Sequence, residues 1–197
     1  MDRTPQMIFD EIYLGNLWNG VESRSGPGSG SVATRKLISE LLFVCEMHSI
    51  SSVLDVGCGD GYWMPDLPGY VGFDASYVAL TLARERHPDR EYVDEWPAGR
   101  QFDLVICRDV IQHLSLSEGV TLLDRIRDTS PRFLLASTFV GGINTDILTG
   151  DAYSPDMQAP PFGLHEPDYW IFDGYAYHET ETARDPTKFL AVWAIGQ

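Results

Sequence analysis

Cysteine, basic residues and long apolar runs are all scarce in this chain of 197 residues. Cys45, Cys58 and Cys107 are widely spaced and form no CxxC pair, so neither a disulfide framework nor a bound metal is expected. No apolar stretch approaches the roughly 18 residues that read as a membrane span. Met1 to Pro5 also lacks the charged-then-apolar pattern of a secretion signal, and a cytoplasmic protein without a membrane partner is expected. Lys and Arg number 14 against 29 Asp and Glu, a formal charge of -15. Phosphate contacts need clustered cations, which makes nucleic acid an unfavoured partner. Internal repeats and low-complexity tracts are absent too, and nothing in the chain fixes an oligomeric state.

What is present is the composition of an ordered globular protein, 44% hydrophobic and 12% aromatic. Its length suits one α/β domain over 1–197, with a helix and covering loop in 1–30 and an insert with an aromatic tail in 140–187. Met7, Ile8 and Ile12, with Phe9 and Tyr13 four apart, predict a short amphipathic helix over 7–14. The Gly- and Ser-rich stretch 17–31 reads as a linker or as a segment folding over a ligand, with Arg24 offered to a carboxylate. Ser31 is expected to cap a helix running to about His48.

Strands are predicted over 51–56, 70–74, 91–94, 102–107 and 133–138, in a βαβ rhythm that implies a mostly parallel sheet. Pro65 and Pro68 leave room for only a brief helix after the first strand, whereas a full one is predicted over 77–85. A further helix is expected to begin at Ser117 with Glu118. Residues 169–172 and 188–195 suit a terminal hairpin.

The first strand runs from Val53 into Asp55-Val56-Gly57-Cys58-Gly59-Asp60-Gly61, three glycines at alternate positions after an acid. Such a turn lets backbone approach a ligand closely, at the strand tips where open α/β sheets bind. Acids also mark the next tips, at Asp74, Asp94 with Glu95, and Asp109. Asp74 stands where one carboxylate can accept from both hydroxyls of a ribose. The glycine spacing departs from the G-x-G-x-x-G of dinucleotide binders, which leaves a nicotinamide oxidoreductase as a weaker reading.

These residues, together with Phe102-Asp103-Leu104-Val105-Ile106-Cys107-Arg108-Asp109-Val110-Ile111-Gln112-His113-Leu114, closely resemble the class I S-adenosylmethionine-dependent methyltransferases. The likeness covers about residues 50 to 140, and 18–29 resemble the N-terminal region of a small bacterial branch. It implies a Rossmann-like seven-stranded, mostly parallel sheet with helices on both faces and an antiparallel last strand. The cofactor implied is S-adenosylmethionine. Asp55 and the Gly57, Cys58, Gly59 and Gly61 backbone would line its methionine and ribose side, and Asp74 with Ala75 would hold the ribose. Asp94 or Glu95 would meet the adenine amino group, and Arg108 would border the methionine end, with Trp18 and Arg24 as further contacts from the covering loop.

Methyl transfer from a sulfonium needs alignment above all, with proton removal where the acceptor requires it. Asp109 and His113, four residues apart, are the candidate bases. His165, Glu166, Asp168 and His178 could approach a substrate, but match no standard metal spacing. Tyr153, Phe162, Tyr169, Trp170, Tyr175 and Tyr177 serve either packing or a pocket wall. The acceptor expected is a small, amphipathic or cationic molecule such as a sugar or natural product, methylated on oxygen or nitrogen. A module that binds the cofactor without turnover is the alternative.

Overall fold

The computed structural model describes residues 3–174 and 185–196, which places Tyr175, Tyr177 and His178 outside the described residues. Helix α1 spans Pro5–Gly15: Thr4 accepts from the Met7 N–H at 3.3 Å, Pro5 supplies a preset first turn, and Asn16 closes the helix in the left-handed region at φ 46°. Helix α2 spans Ser31–Met47. Ser31 does not cap it; Gly30 holds that position. The expected role of Ser31 passes to the Glu22 carboxylate, which accepts from the Ser31 N–H at 2.7 Å and hydroxyl at 2.8 Å. An acid at this end also meets the positive pole of the helix.

Strands β1 (Val53–Val56), β2 (Tyr70–Phe73), β3 (Glu91–Val93), β4 (Leu104–Cys107), β5 (Phe133–Phe139), β6 (Tyr169–Phe172) and β7 (Lys188–Ala194) form one sheet in the order β3-β2-β1-β4-β5-β7-β6. β7 alone runs antiparallel to its neighbours β5 and β6. Helix α3 (Tyr77–Arg86) links β2 to β3, and α4 (Leu116–Asp128) links β4 to β5. The brief helix expected after the glycine turn does not form, and 57–69 crosses from β1 to β2 as irregular chain. Its prolines and positive-φ glycines leave no run of helix-compatible residues. α4 is capped two residues earlier than expected, because Ser115 rather than Ser117 forms the capping box with Glu118.

The central strands are buried on both faces, and their Val, Leu and Ile side chains divide by the two-residue period of a strand. Val53, Leu104, Ile106 and Leu135 pack against Leu37, Leu41 and Val44 of α2 and Leu80 and Ala83 of α3. Leu54, Val56, Val105 and Leu134 face Leu123 and Ile126 of α4. Met157, Phe162 and Leu164 of the insert complete that second layer, so this part of the insert serves the core. Each such side chain contributes about 1.5–3 kcal/mol when fully buried.

Candidate active site

A cavity of about 630 Å³ opens at the carboxyl ends of β1, β2 and β4. Its floor is Val56, Gly57, Cys58, Phe73, Asp74 and Ala75, and Arg108, Asp109 and Val110 form one side. Gly57 lies at φ 69°, and a Cβ there would stand 2.3 Å from Val110. Gly59, at φ 60°, would place a Cβ 2.2 Å from the Ser25 hydroxyl and 2.7 Å from that of Tyr13. At both positions the turn needs glycine for its conformation, and for the close approach of Val110 at the first and of the roof at the second.

That roof comes from α1 and the loop after it, through Phe9, Tyr13, Trp18 and Ser25. Asp60, buried in the glycine turn, holds the loop down: it accepts from the Ser23 hydroxyl at 2.8 Å, the Ser25 hydroxyl at 3.2 Å and the Arg24 N–H at 3.0 Å. Asp10 ties α1 to the start of α3, accepting from the Ser76 hydroxyl at 2.7 Å and the Val78 N–H at 3.1 Å. The guanidinium of Arg24 donates to the Tyr13 carbonyl at 3.0 Å and so satisfies the carboxyl end of α1. Arg24 is not among the residues lining the cavity.

The acids at the tips differ in state. Asp55 points into the layer beneath the turn, where it accepts from the Tyr70 hydroxyl at 2.9 Å. Burial pushes its carboxyl up to about 7, more than that hydrogen bond can offset. Burial likewise raises Asp74 to about 6, although it accepts from the Gly59 N–H at 2.9 Å and the Ser76 N–H at 2.8 Å. Asp94 and Glu95 are exposed, outside the cavity lining, and the Tyr77 hydroxyl bonds to Asp94. Gly59 and Gly61 also stand behind the lining residues.

Arg108 and Asp109 enter a buried charge network whose other members, Asp173 and Lys188, the sequence reading did not single out. Arg108 pairs with Asp173 through two hydrogen bonds of 3.0 and 2.9 Å, and also donates to the Gly28 carbonyl at 3.0 Å. Its guanidinium lies 5.1 Å from the Trp63 ring centre. Lys188 reaches Asp109 at 2.9 Å and Asp173 at 3.2 Å, while the Ser137 hydroxyl donates to Asp109 at 3.0 Å. Burial alone would raise Asp109, but Lys188 and Arg108 outweigh it and hold this carboxylate well below the usual range.

His113 sits in a 3-10 turn (Ile111–His113) before α4, with the Trp18 ring 5.1 Å away. Its Nδ1 lies 2.8 Å from the Asp151 carbonyl and its Nε2 3.1 Å from the Gln112 side-chain nitrogen. Burial lowers its pKa. The insert thus braces this turn, since Gly150 and Tyr153 also donate backbone N–H groups to the His113 and Gln112 carbonyls. His165 and Asp168 belong elsewhere, bonded to Ala194 at the amino end of β5, across the sheet from the cavity. Both conflict with the expected approach to a substrate, and Glu166 lies in the same segment.

The open α/β sheet with a ligand-sized cavity at its strand tips has the architecture of Rossmann-like nucleotide-cofactor binders. The family model described as Methyltransferase domain matches residues 31–130, and the chain belongs to that family, within the class I S-adenosylmethionine-dependent superfamily. Among solved structures, magnesium protoporphyrin IX methyltransferase from Synechocystis with bound S-adenosylmethionine is similar in fold, at a TM-score of 0.66 and 11% identity over 97% of both chains. N-methyltransferase NodS from Bradyrhizobium japonicum, in complex with S-adenosylhomocysteine, gives 0.53 and 16% identity over 66% of this chain and 74% of that one. None of the curated proteins matches the sequence. The cavity fits the cofactor of the family: it has the bare backbone of Gly57 in its floor, a buried carboxylate at Asp74 and apolar surfaces at Phe73 and Val110.

Proposed function

We propose that this protein transfers the methyl group of S-adenosylmethionine to an oxygen or nitrogen of a small-molecule acceptor. The observation that carries the reading is the cavity itself, walled by the glycine turn and Asp74 below and by Tyr13 and Trp18 above. When bound, S-adenosylmethionine supplies a methyl group already activated on a sulfonium, so the chain's task is placement and the exclusion of water. Asp74 accepts from the ribose hydroxyls, with Gly57, Cys58 and Ala75 as backbone neighbours. Asp94 or Glu95, exposed at the tip of β3, accepts from the adenine amino group only where the base extends beyond the cavity lining. Arg108 holds the loop at Gly28 and Asp173 in register at the methionine end. Asp55 stands beneath the turn and sets its height through Tyr70. Trp18 and His113 form the acceptor side.

A cavity of about 630 Å³ with aromatic and polar walls suits a small metabolite, and the similar enzyme from Synechocystis is named for a small acceptor. Calorimetry with S-adenosylmethionine and S-adenosylhomocysteine tests the cofactor half. Dissociation constants weaker than about 1 mM, roughly -4 kcal/mol, would sink it. Asp74→Asn is expected to weaken binding by about 1–3 kcal/mol through the lost charged hydrogen bonds. Unchanged affinity would remove Asp74 from the ribose. Transfer of labelled methyl to members of a metabolite pool, as against cofactor binding without turnover, separates an enzyme from a binding module.

A further inference from the structure

We infer that the acceptor carries a positively charged ammonium group, anchored by Oε1 of Glu118, while another oxygen or nitrogen of the same molecule takes the methyl; this rests on the methyltransferase reading above. Glu118 lines the cavity and is half-buried. Its Oε2 accepts from the Ser115 N–H at 3.1 Å, from the Ser115 hydroxyl at 2.7 Å and from the Thr149 hydroxyl. Oε1 has no hydrogen-bond partner among the described residues, and it is not enclosed. The capping box of α4 needs only the first of these oxygens. Three donors on that oxygen hold the carboxylate in one orientation and leave Oε1 as a preset acceptor.

The insert ties Glu118 to the acceptor side. Thr149 donates to Glu118, and the next residue, Gly150, donates its N–H to the His113 carbonyl at 2.9 Å. Glu118 is thereby fixed beside the turn that carries His113, away from Asp74 and Arg108, which serve the cofactor. The Trp18 ring, 5.1 Å from that of His113, gives this side an aromatic surface for the body of the acceptor.

The state of the carboxylate decides what it holds. Burial alone would raise Glu118, but its bonds to Thr149 and Ser115 outweigh burial and keep it below the usual range. Such an ion is a poor proton acceptor and a strong partner for a positive charge. Among the other charged groups, Asp109 already has Ser137 on one oxygen and Lys188 on the other, and burial keeps His113 neutral. Asp146, which accepts from the Leu116 N–H at 2.9 Å, adds to the negative potential at Glu118. Arg125 lines the cavity seven residues on, about 10 Å along the helix axis, and is exposed, so it leaves Glu118 unneutralised.

An ammonium held in this way has no lone pair and cannot itself take the methyl. The nucleophile is therefore a different atom: its lone pair forms the bond to the methyl carbon while the C–S bond breaks, and the electrons of that bond stay on sulfur as a thioether. The proton on the attacking oxygen or nitrogen passes to water. Glu118 is a specificity residue in this account.

The test uses the full chain, labelled S-adenosylmethionine and a matched library in which every skeleton carries one hydroxyl together with either an amino group or a second hydroxyl in its place. Amino members should show kcat/KM at least about tenfold above their hydroxyl counterparts, with the difference residing in KM and the methyl on oxygen. Glu118→Gln keeps an oxygen for the cap, a position that accepts Gln. With that oxygen turned to Ser115 and Thr149, its NH2 group faces the cavity, and the preference should vanish while S-adenosylhomocysteine affinity is unchanged. Equal or better turnover of the hydroxyl members, methyl found on the amino nitrogen, labelling of no member with the cofactor bound, or a preference kept in Glu118→Gln would overturn the inference. A tenfold loss of S-adenosylhomocysteine affinity in Glu118→Gln would give Oε1 to the cofactor's own ammonium and overturn it too. The preference of the parent chain is read without any variant, so it decides even where the substitution destabilises α4. Failure of the cofactor to bind the parent chain would instead overturn the reading beneath it.

Discussion

Asp55, buried, and Asp109, partly buried, are acids at neighbouring strand tips, and their surroundings drive them in opposite directions. Asp55 has one hydroxyl partner and an apolar setting, so its carboxyl rises to about 7. Asp109 has Lys188 and Arg108 and stays ionised. The sign for Asp55 follows from linkage: between its unfolded value near 4 and about 7 the folded state binds more protons, so stability falls as pH rises through that window. Asp55→Asn keeps an acceptor for Tyr70 without the charge. Its melting temperature relative to the parent chain should therefore climb from pH 4 to pH 7 and level off above. A difference independent of pH would show that Asp55 is not the buried acid described here. Asp109 contributes in the reverse sense, adding stability above the ordinary carboxylate range that is lost on acidification.

At the scale of elements, the glycine turn and the N-terminal segment act as one unit through Asp60. The spacing of glycines and tip acids was legible because ligand approach and strand termination act over neighbouring residues. The roof was legible only as a loop: nothing local says that Ser23 and Ser25 bond to an acid more than thirty positions away. The charge network is harder still, since Asp173 and Lys188 meet Arg108 and Asp109 only because β7 inserts beside β5. The start of α4 was misplaced by two residues because Ser115 and Ser117 both precede polar helix positions, and Glu118 selects the first by its three-residue spacing. Asp60→Ala should release the roof, costing about 1–3 kcal/mol for its buried partners. Amide exchange in 16–30 should accelerate while α2 and the central strands stay protected. Unchanged exchange there would show that Asp10 and Arg24 suffice to hold the segment. Lys188→Met leaves two buried carboxylates sharing Arg108 and should cost about 3–5 kcal/mol by denaturant unfolding. A loss below 1 kcal/mol would mean the network is wet.

For the whole molecule, the two cations of the network offset its two acids, and apart from the buried Asp55, Asp60 and Asp74 the excess of acid lies outside the core. No helix among the described residues is long and apolar enough to cross a membrane. A formal charge of -15 spread over such a body repels polyanions and draws cations. This attraction acts across solvent and is screened, over roughly 30 Å at 0.01 M salt and roughly 3 Å at 1 M. At saturating cofactor, kcat/KM for a cationic acceptor should therefore fall by about tenfold or more across that range. The kcat value should change far less, because the short contacts inside the cavity are shielded from salt. Equal kcat/KM at both ends would assign acceptor capture to the apolar walls formed by Phe9, Trp18 and Leu122 alone.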